Sequence, residues 1–173
     1  MKFIIVHAAA TFPSMDVDVK WIDRVHKERG FAKVGYHYFI KRNGIVQIGR
    51  PENEMGAHTL GFNKDTLGIC MAGGLKEGTK IPEDNFTDAQ YKSLEDLYEK
   101  LHNKYPEAEF RGHNDFKGHE SRGCPCFDHQ TFFAILRIKL GITDLSIPME
   151  PDTILNVENG TYTSWDFKIP QNI

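Results

Sequence analysis

No apolar run in this 173-residue chain approaches the roughly 20 residues of a membrane span. Membrane insertion is therefore not expected. The N-terminal stretch "MKFIIVHAAAT" has a lysine and a small-residue run, but its apolar core is confined to residues 3–6. A secretory h-region needs about 7–15 such residues. The stretch reads as a buried strand, no export address is visible, and cytoplasmic synthesis is expected. Cysteine is scarce, with only Cys70, Cys124 and Cys126. An odd count without a leader argues against a disulfide framework. Excess positive charge is also missing. A net charge of −3 disfavours a nucleic-acid binder driven by phosphate contacts. No internal repeat is present.

What remains is ordinary globular material. Hydrophobic residues make up 40% and charged residues 26%, enough for one domain with a sizeable core. The charge is uneven. Residues 141–173 hold five acids and one base, a net of −4, which leaves residues 1–140 at +1. From Gly141 onward no hydrophobic period is sustained, and Pro148, Pro151 and Pro170 interrupt the chain. We expect one domain over 1–140 and an irregular acidic extension over 141–173, with a short strand near "GTYTSWDF".

Periodicity sets the elements. "KFIIVH" is a continuous β-branched run ending at His7, the signature of a central strand. Val17, Trp21, Ile22 and Val25 form a helical stripe over 17–29, with Gly30 as its C-cap. In "YHYFIKRNGIVQIG" the Asn43-Gly44 pair predicts a two-residue hairpin turn. "TLGICMA" at 66–72 is another buried strand, with Cys70 a small core residue. Thr87 and Gln90 form a capping-box pair opening a helix over 88–105, whose face carries Tyr91, Leu94, Leu97, Tyr98, Leu101 and Tyr105. "AEFRGH" is a short strand. Asp128 caps a last helix, with Phe132, Phe133, Leu136 and Leu140 inward. Interleaved strands and helices predict an α/β domain with a central mixed β-sheet flanked by helices.

The stretch "RGHNDFKGHESRGCPCFD" at 111–128 concentrates the chemistry. His113 stands at a strand end, and Cys124 follows across a glycine-containing loop. His7 ends an early central strand. Each alone reads as a packed or solvated residue; His119 reads as solvated, and His26, His102 and His129 as surface residues. Together, His7, His113 and Cys124 are nitrogen and sulfur donors that could converge at one end of a sheet. Zinc takes such ligands, and a catalytic zinc keeps three protein ligands and an open position. Cys126 stays open as a fourth ligand, although a two-residue spacing is unusual for chelation.

In order along the chain stand "IIVHAAAT", "VGYHYFIKRNG", "IGR", "GAHTLGFNKDTLGICMAGG", "NFTDAQ", "RGHNDF" and "CPCFD". This series resembles the zinc-dependent N-acetylmuramoyl-L-alanine amidases, in particular the short phage endolysins, over about residues 1–140. The resemblance implies a peptidoglycan-recognition/amidase-like fold. It implies a Zn²⁺ cofactor held by His7, His113 and Cys124, with Tyr36 and Arg122 as catalytic residues. Arg122 is a departure, because the phage enzymes usually carry lysine there. Arginine can stabilise an oxyanion but stays protonated. His58 and His37 are implied on the substrate side, His58 lining the cleft and His37 orienting a ligand ring from behind; loop packing is the alternative for His58.

The implied reaction is hydrolysis of the amide joining the lactyl group of N-acetylmuramic acid to L-alanine. Zinc lowers the pKa of bound water to about 7, while Arg122 and Tyr36 hold the oxyanion. Tyr36, or a water that it orders, protonates the leaving amine. The implied partner is peptidoglycan, and a monomer is expected. A phage enzyme of this kind would wait in the host cytoplasm and reach the wall after the membrane is breached. The rival reading is a peptidoglycan-recognition module of the same fold that binds without cutting.

Overall fold

The computed structural model describes residues 1–142. The expected strand near "GTYTSWDF" and most of the acidic extension lie outside these residues. The elements run β1 (Phe3–Ala8), α1 (Val19–Glu28), β2 (Tyr38–Ile40), β3 (Val46–Ile48), β4 (Thr66–Met71), α2 (Asp88–Lys104), β5 (Glu109–Gly112) and α3 (His129–Lys139). The strands form one mixed sheet in the order β3-β2-β4-β1-β5. Only the β2–β3 pair is antiparallel.

Strand alternation divides the sheet into two unlike faces. On one face Ile4, Val6, Leu67, Ile69, Tyr38 and Ile40 join the main core. The apolar stripes of α2 and α3 cover it, with Leu94, Leu101, Phe132 and Phe133 at most 2% exposed. The other face carries Phe39, Cys70 and Ala72, packed with Val17, Ile22 and Val34 in a much smaller cluster under α1. His7 is 1% exposed and His37 is fully buried. Both lie on this second face, out of phase with Val6 and Tyr38.

Local chemistry accounts for the element ends. The Thr87 hydroxyl accepts from the Gln90 N–H, and the Gln90 side chain accepts from the Thr87 N–H, a complete capping box. The Asp128 carboxylate accepts from the Thr131 N–H at the start of α3. The hairpin differs from expectation. Gly44 alone takes positive φ, at 83°, and its N–H donates to the Lys41 carbonyl while Lys41 N–H donates to the Ile45 carbonyl. The strands are thus joined by a longer loop closed by one left-handed glycine, not by a two-residue turn. Leu140, expected inward, is 39% exposed, because α3 ends at Lys139 and Leu140 is its C-cap.

Candidate active site

The parallel register builds the site. Val6 pairs with Gly112 across β1 and β5. His7 and His113 therefore follow side by side at the carboxyl ends of neighbouring strands, where α/β sheets hold their ligands. Asp115 fixes this end of β5, its Oδ2 accepting from the Gly112 N–H at 2.8 Å and from His129 Nε2 at 2.9 Å. The loop after His113 returns Cys124 to the same point. Ala8 N–H donates to Cys124 Sγ at 3.2 Å, and Sγ lies 3.9 Å from His7 Nδ1. One donor atom from each of His7, His113 and Cys124 falls within 4.8 Å of the others, the only such group of three among the described residues.

These residues fit a divalent metal. The donor set is two imidazoles and a sulfur, the set zinc prefers. His113 Nε2 is buried with no hydrogen-bond partner, a costly state for a purely structural histidine. Burial lowers the pKa of His7 well below that of a free imidazole, helped by the charges of His58 and His113. Burial likewise brings His113 down to about 4, with His119 and Arg122 adding to it. Both rings are thus neutral, the form that ligates. Burial pushes Cys124 up to about 12 against the opposing pull of Ala8 N–H and Arg122. Without a cation it is a thiol; a coordinated cation would favour the thiolate there.

A cleft of about 340 Å³ opens over this group, with Arg29, Phe31, Arg122 and Pro82 at its walls. The Tyr36 ring lies 5.1 Å from that of His7. Burial raises its pKa well above the usual phenol value, reinforced by Cys70 and Cys124, so its hydroxyl stays protonated and donates hydrogen bonds. Arg122 is exposed on the rim. His58 both lines the cleft and meets His7, Nδ1 to Nε2 at 3.1 Å. His37 stands behind. Its Nδ1 accepts from Gly68 N–H, its Nε2 meets the Glu54 carbonyl, and its ring is 5.8 Å from that of His58; it is not part of the cleft wall.

Three histidines read as solvated or surface residues are buried. His119 is 6% exposed, its ring 4.6 Å from that of His113 and its Nε2 against the Leu60 carbonyl. His26 accepts from Gly35 N–H at 2.9 Å and helps line the cleft. His129 braces Asp115. Polar residues in a loop or on a helix carry no periodic signal of burial; only the packed fold reveals it. Cys126 lines the cleft beside Cys124 but stands outside the group of three donors.

A family model described as N-acetylmuramoyl-L-alanine amidase matches residues 1–127. The endolysin of Escherichia phage T7 is 42% identical over 125 residues, covering 72% of this chain and 80% of its own. The endolysin of Klebsiella phage KP32 is 40% identical over the same span. Among solved structures, the endolysin N-acetylmuramoyl-L-alanine amidase LysCS from Clostridium intestinale superposes with a TM-score of 0.65 at 30% identity, covering 82% of this chain and 84% of its own. No helix among the described residues is long and apolar enough to cross a membrane. With a matching family model over most of its length, and with two buried histidines and a half-buried cysteine gathered at one sheet end, the chain belongs to the N-acetylmuramoyl-L-alanine amidase family.

Proposed function

We propose that this protein is a zinc-dependent peptidoglycan amidase that cuts the bond between the lactyl group of N-acetylmuramic acid and L-alanine. The observation that carries this reading is the convergence of His7, His113 and Cys124 beneath an open cleft. His7 and His113 would hold the ion as neutral imidazoles and Cys124 would hold it as a thiolate. When bound, zinc supplies a Lewis acid and brings the pKa of water to about 7.

The protein's own groups do the rest. The Arg122 guanidinium, permanently charged, stabilises the negative charge that develops on the carbonyl oxygen. Tyr36 donates a hydrogen bond from a hydroxyl that burial keeps protonated. A solvent molecule ordered by Tyr36 supplies the proton that the leaving amine needs. The Ala8 backbone N–H, which donates to Cys124 Sγ, keeps the sulfur turned into the site.

Residues 1–140 form the catalytic unit and 141–173 an extension to it. The protein acts as a monomer on peptidoglycan. Like its phage relatives it serves in host lysis, held in the host cytoplasm until the membrane is breached. The decisive experiment is digestion of purified murein, with mass spectrometry of the products before chelation, after chelation and after zinc is restored. Free lactyl-bearing glycan and intact stem peptides that depend on zinc support the reading. Metal binding with no cleavage would turn it toward a recognition module.

A further inference from the structure

The ring of His58 is seated more tightly than a cleft-lining residue requires. The backbone N–H groups of His58 and Thr59 both donate to Asn63 Oδ1, at 2.8 and 2.9 Å, which fixes the main chain here. Gly56 and Gly68 flank the ring. A Cβ on Gly56 would come within 2.5 Å of His58 Cδ2, and one on Gly68 within 2.6 Å of His58 Cγ. The slot exists because two side chains are absent, and it holds the imidazole in one plane.

Hydrogen-bond supply and demand then fix where the protons are. The Thr66 hydroxyl donates to the Phe62 carbonyl at 2.9 Å. Its proton is committed, so its lone pair accepts from His58 Nε2, 3.4 Å away. His58 thus carries its proton on Nε2 and a lone pair on Nδ1. That lone pair faces His7 Nε2 at 3.1 Å. Two lone pairs at that distance would repel, so His7 Nε2 carries the proton. The Thr59 hydroxyl, 3.1 Å from His58 Nδ1 and 3.4 Å from His7 Nε2, does not alter this. It donates to His58 and accepts from His7, or stands aside. His7 is left with its lone pair on Nδ1, the atom that faces Cys124 Sγ.

We propose that His58 is a positioning residue that holds His7 in its Nε2–H tautomer, through a chain running from the Phe62 carbonyl by way of Thr66, so that Nδ1 is presented to the metal. The inference rests on the metal-site reading above, but its first test does not need the metal. Ring ¹⁵N shifts of His7 in the metal-free, full-length protein report the tautomer directly. We expect a protonated Nε2 and an unprotonated Nδ1 in the wild type. A proton on Nδ1 would overturn the proposal.

The second test is zinc affinity. Removing an outer partner of a metal-bound histidine typically weakens binding by about 10- to 100-fold. His58→Leu should fall in that range and lose the single tautomer. His58→Gln should recover most of the affinity, because its amide oxygen can accept from His7 and its amide NH₂ can donate to Thr66. A merely structural role for the ring would not give that rescue together with the tautomer shift. Thr66→Val breaks only the outer link and should weaken binding less; it carries the test if His58→Leu does not fold. Unchanged zinc affinity in a folded His58→Leu protein would refute the proposal. Absence of zinc binding in the wild type would instead overturn the metal-site reading, while the tautomer measurement would still judge the hydrogen-bond chain.

Discussion

The two faces of the sheet are built from opposite materials. Toward α2 and α3 point large apolar side chains, interlocked with aromatic rings such as Phe86, Tyr91, Phe127 and Phe132 at centroid distances of 5.5–6.1 Å. Toward α1 and the cleft point His7, His37, Gly68 and Cys70, with a thin apolar cluster beside them. The first face holds the fold by area buried. The second face spends burial on polar rings, which is tolerable only because most of their nitrogens meet a backbone group or another ring. Stability and chemistry thus sit on opposite sides of the same strands, one residue out of phase.

Substitutions on the two faces should therefore fail in different ways. The largest effect is expected for His7→Ala or Cys124→Ala. An open three-ligand site has no spare ligand, so amidase activity should drop to background and bound zinc should be lost. Murein digestion with metal analysis checks this, and full activity in either variant would break the contrast between the faces. Next comes Arg122→Ala at the rim. Loss of one oxyanion-stabilising donor costs about 10²–10³ in kcat, while Arg122→Lys, which restores the charge, should recover much of it. Steady-state kinetics separates the two.

On the opposite face, Phe132→Ala should cost about 3–5 kcal/mol of stability, because Phe132 is fully buried. Its kcat/KM, measured well below the unfolding midpoint, should stay near that of the wild type. Loss of activity from the folded protein would show that the two faces are coupled. The smallest effect is expected for Cys126→Ser. Cys126 lines the cleft but lies outside the donor group, so most activity and all bound zinc should remain. Loss of zinc in that variant would move the ligand role from one cysteine to the other.

Much of the scaffold was legible because its signals are local. The β-branched run of β1, the capping box of α2 and the Asp128 cap of α3 each arise within a few residues, and the structure contains all three. The hairpin was legible as a pair of strands but not in its turn, because Asn-Gly fits several loop lengths and register decides among them. His119 and His26 were misjudged as solvent-facing. Their burial depends on Leu60 and Gly35, which reach them from other parts of the chain. His58 was legible as a residue of the cleft, yet its bond to His7 spans 51 positions and left no local trace.

The sequence by itself determined which strands are central, where the helices start, and that two histidines stand at strand ends with a cysteine in the loop that follows. Those follow from side-chain volume, periodicity and capping, which act over short range. Only the tertiary structure decided that Val6 lies opposite Gly112, and hence that His7 and His113 are neighbours. It alone decided that two glycines leave a slot for one imidazole behind them. Such juxtapositions depend on parallel pairing between distant segments, whose register is set by the packing of the whole sheet and not by any stretch of it.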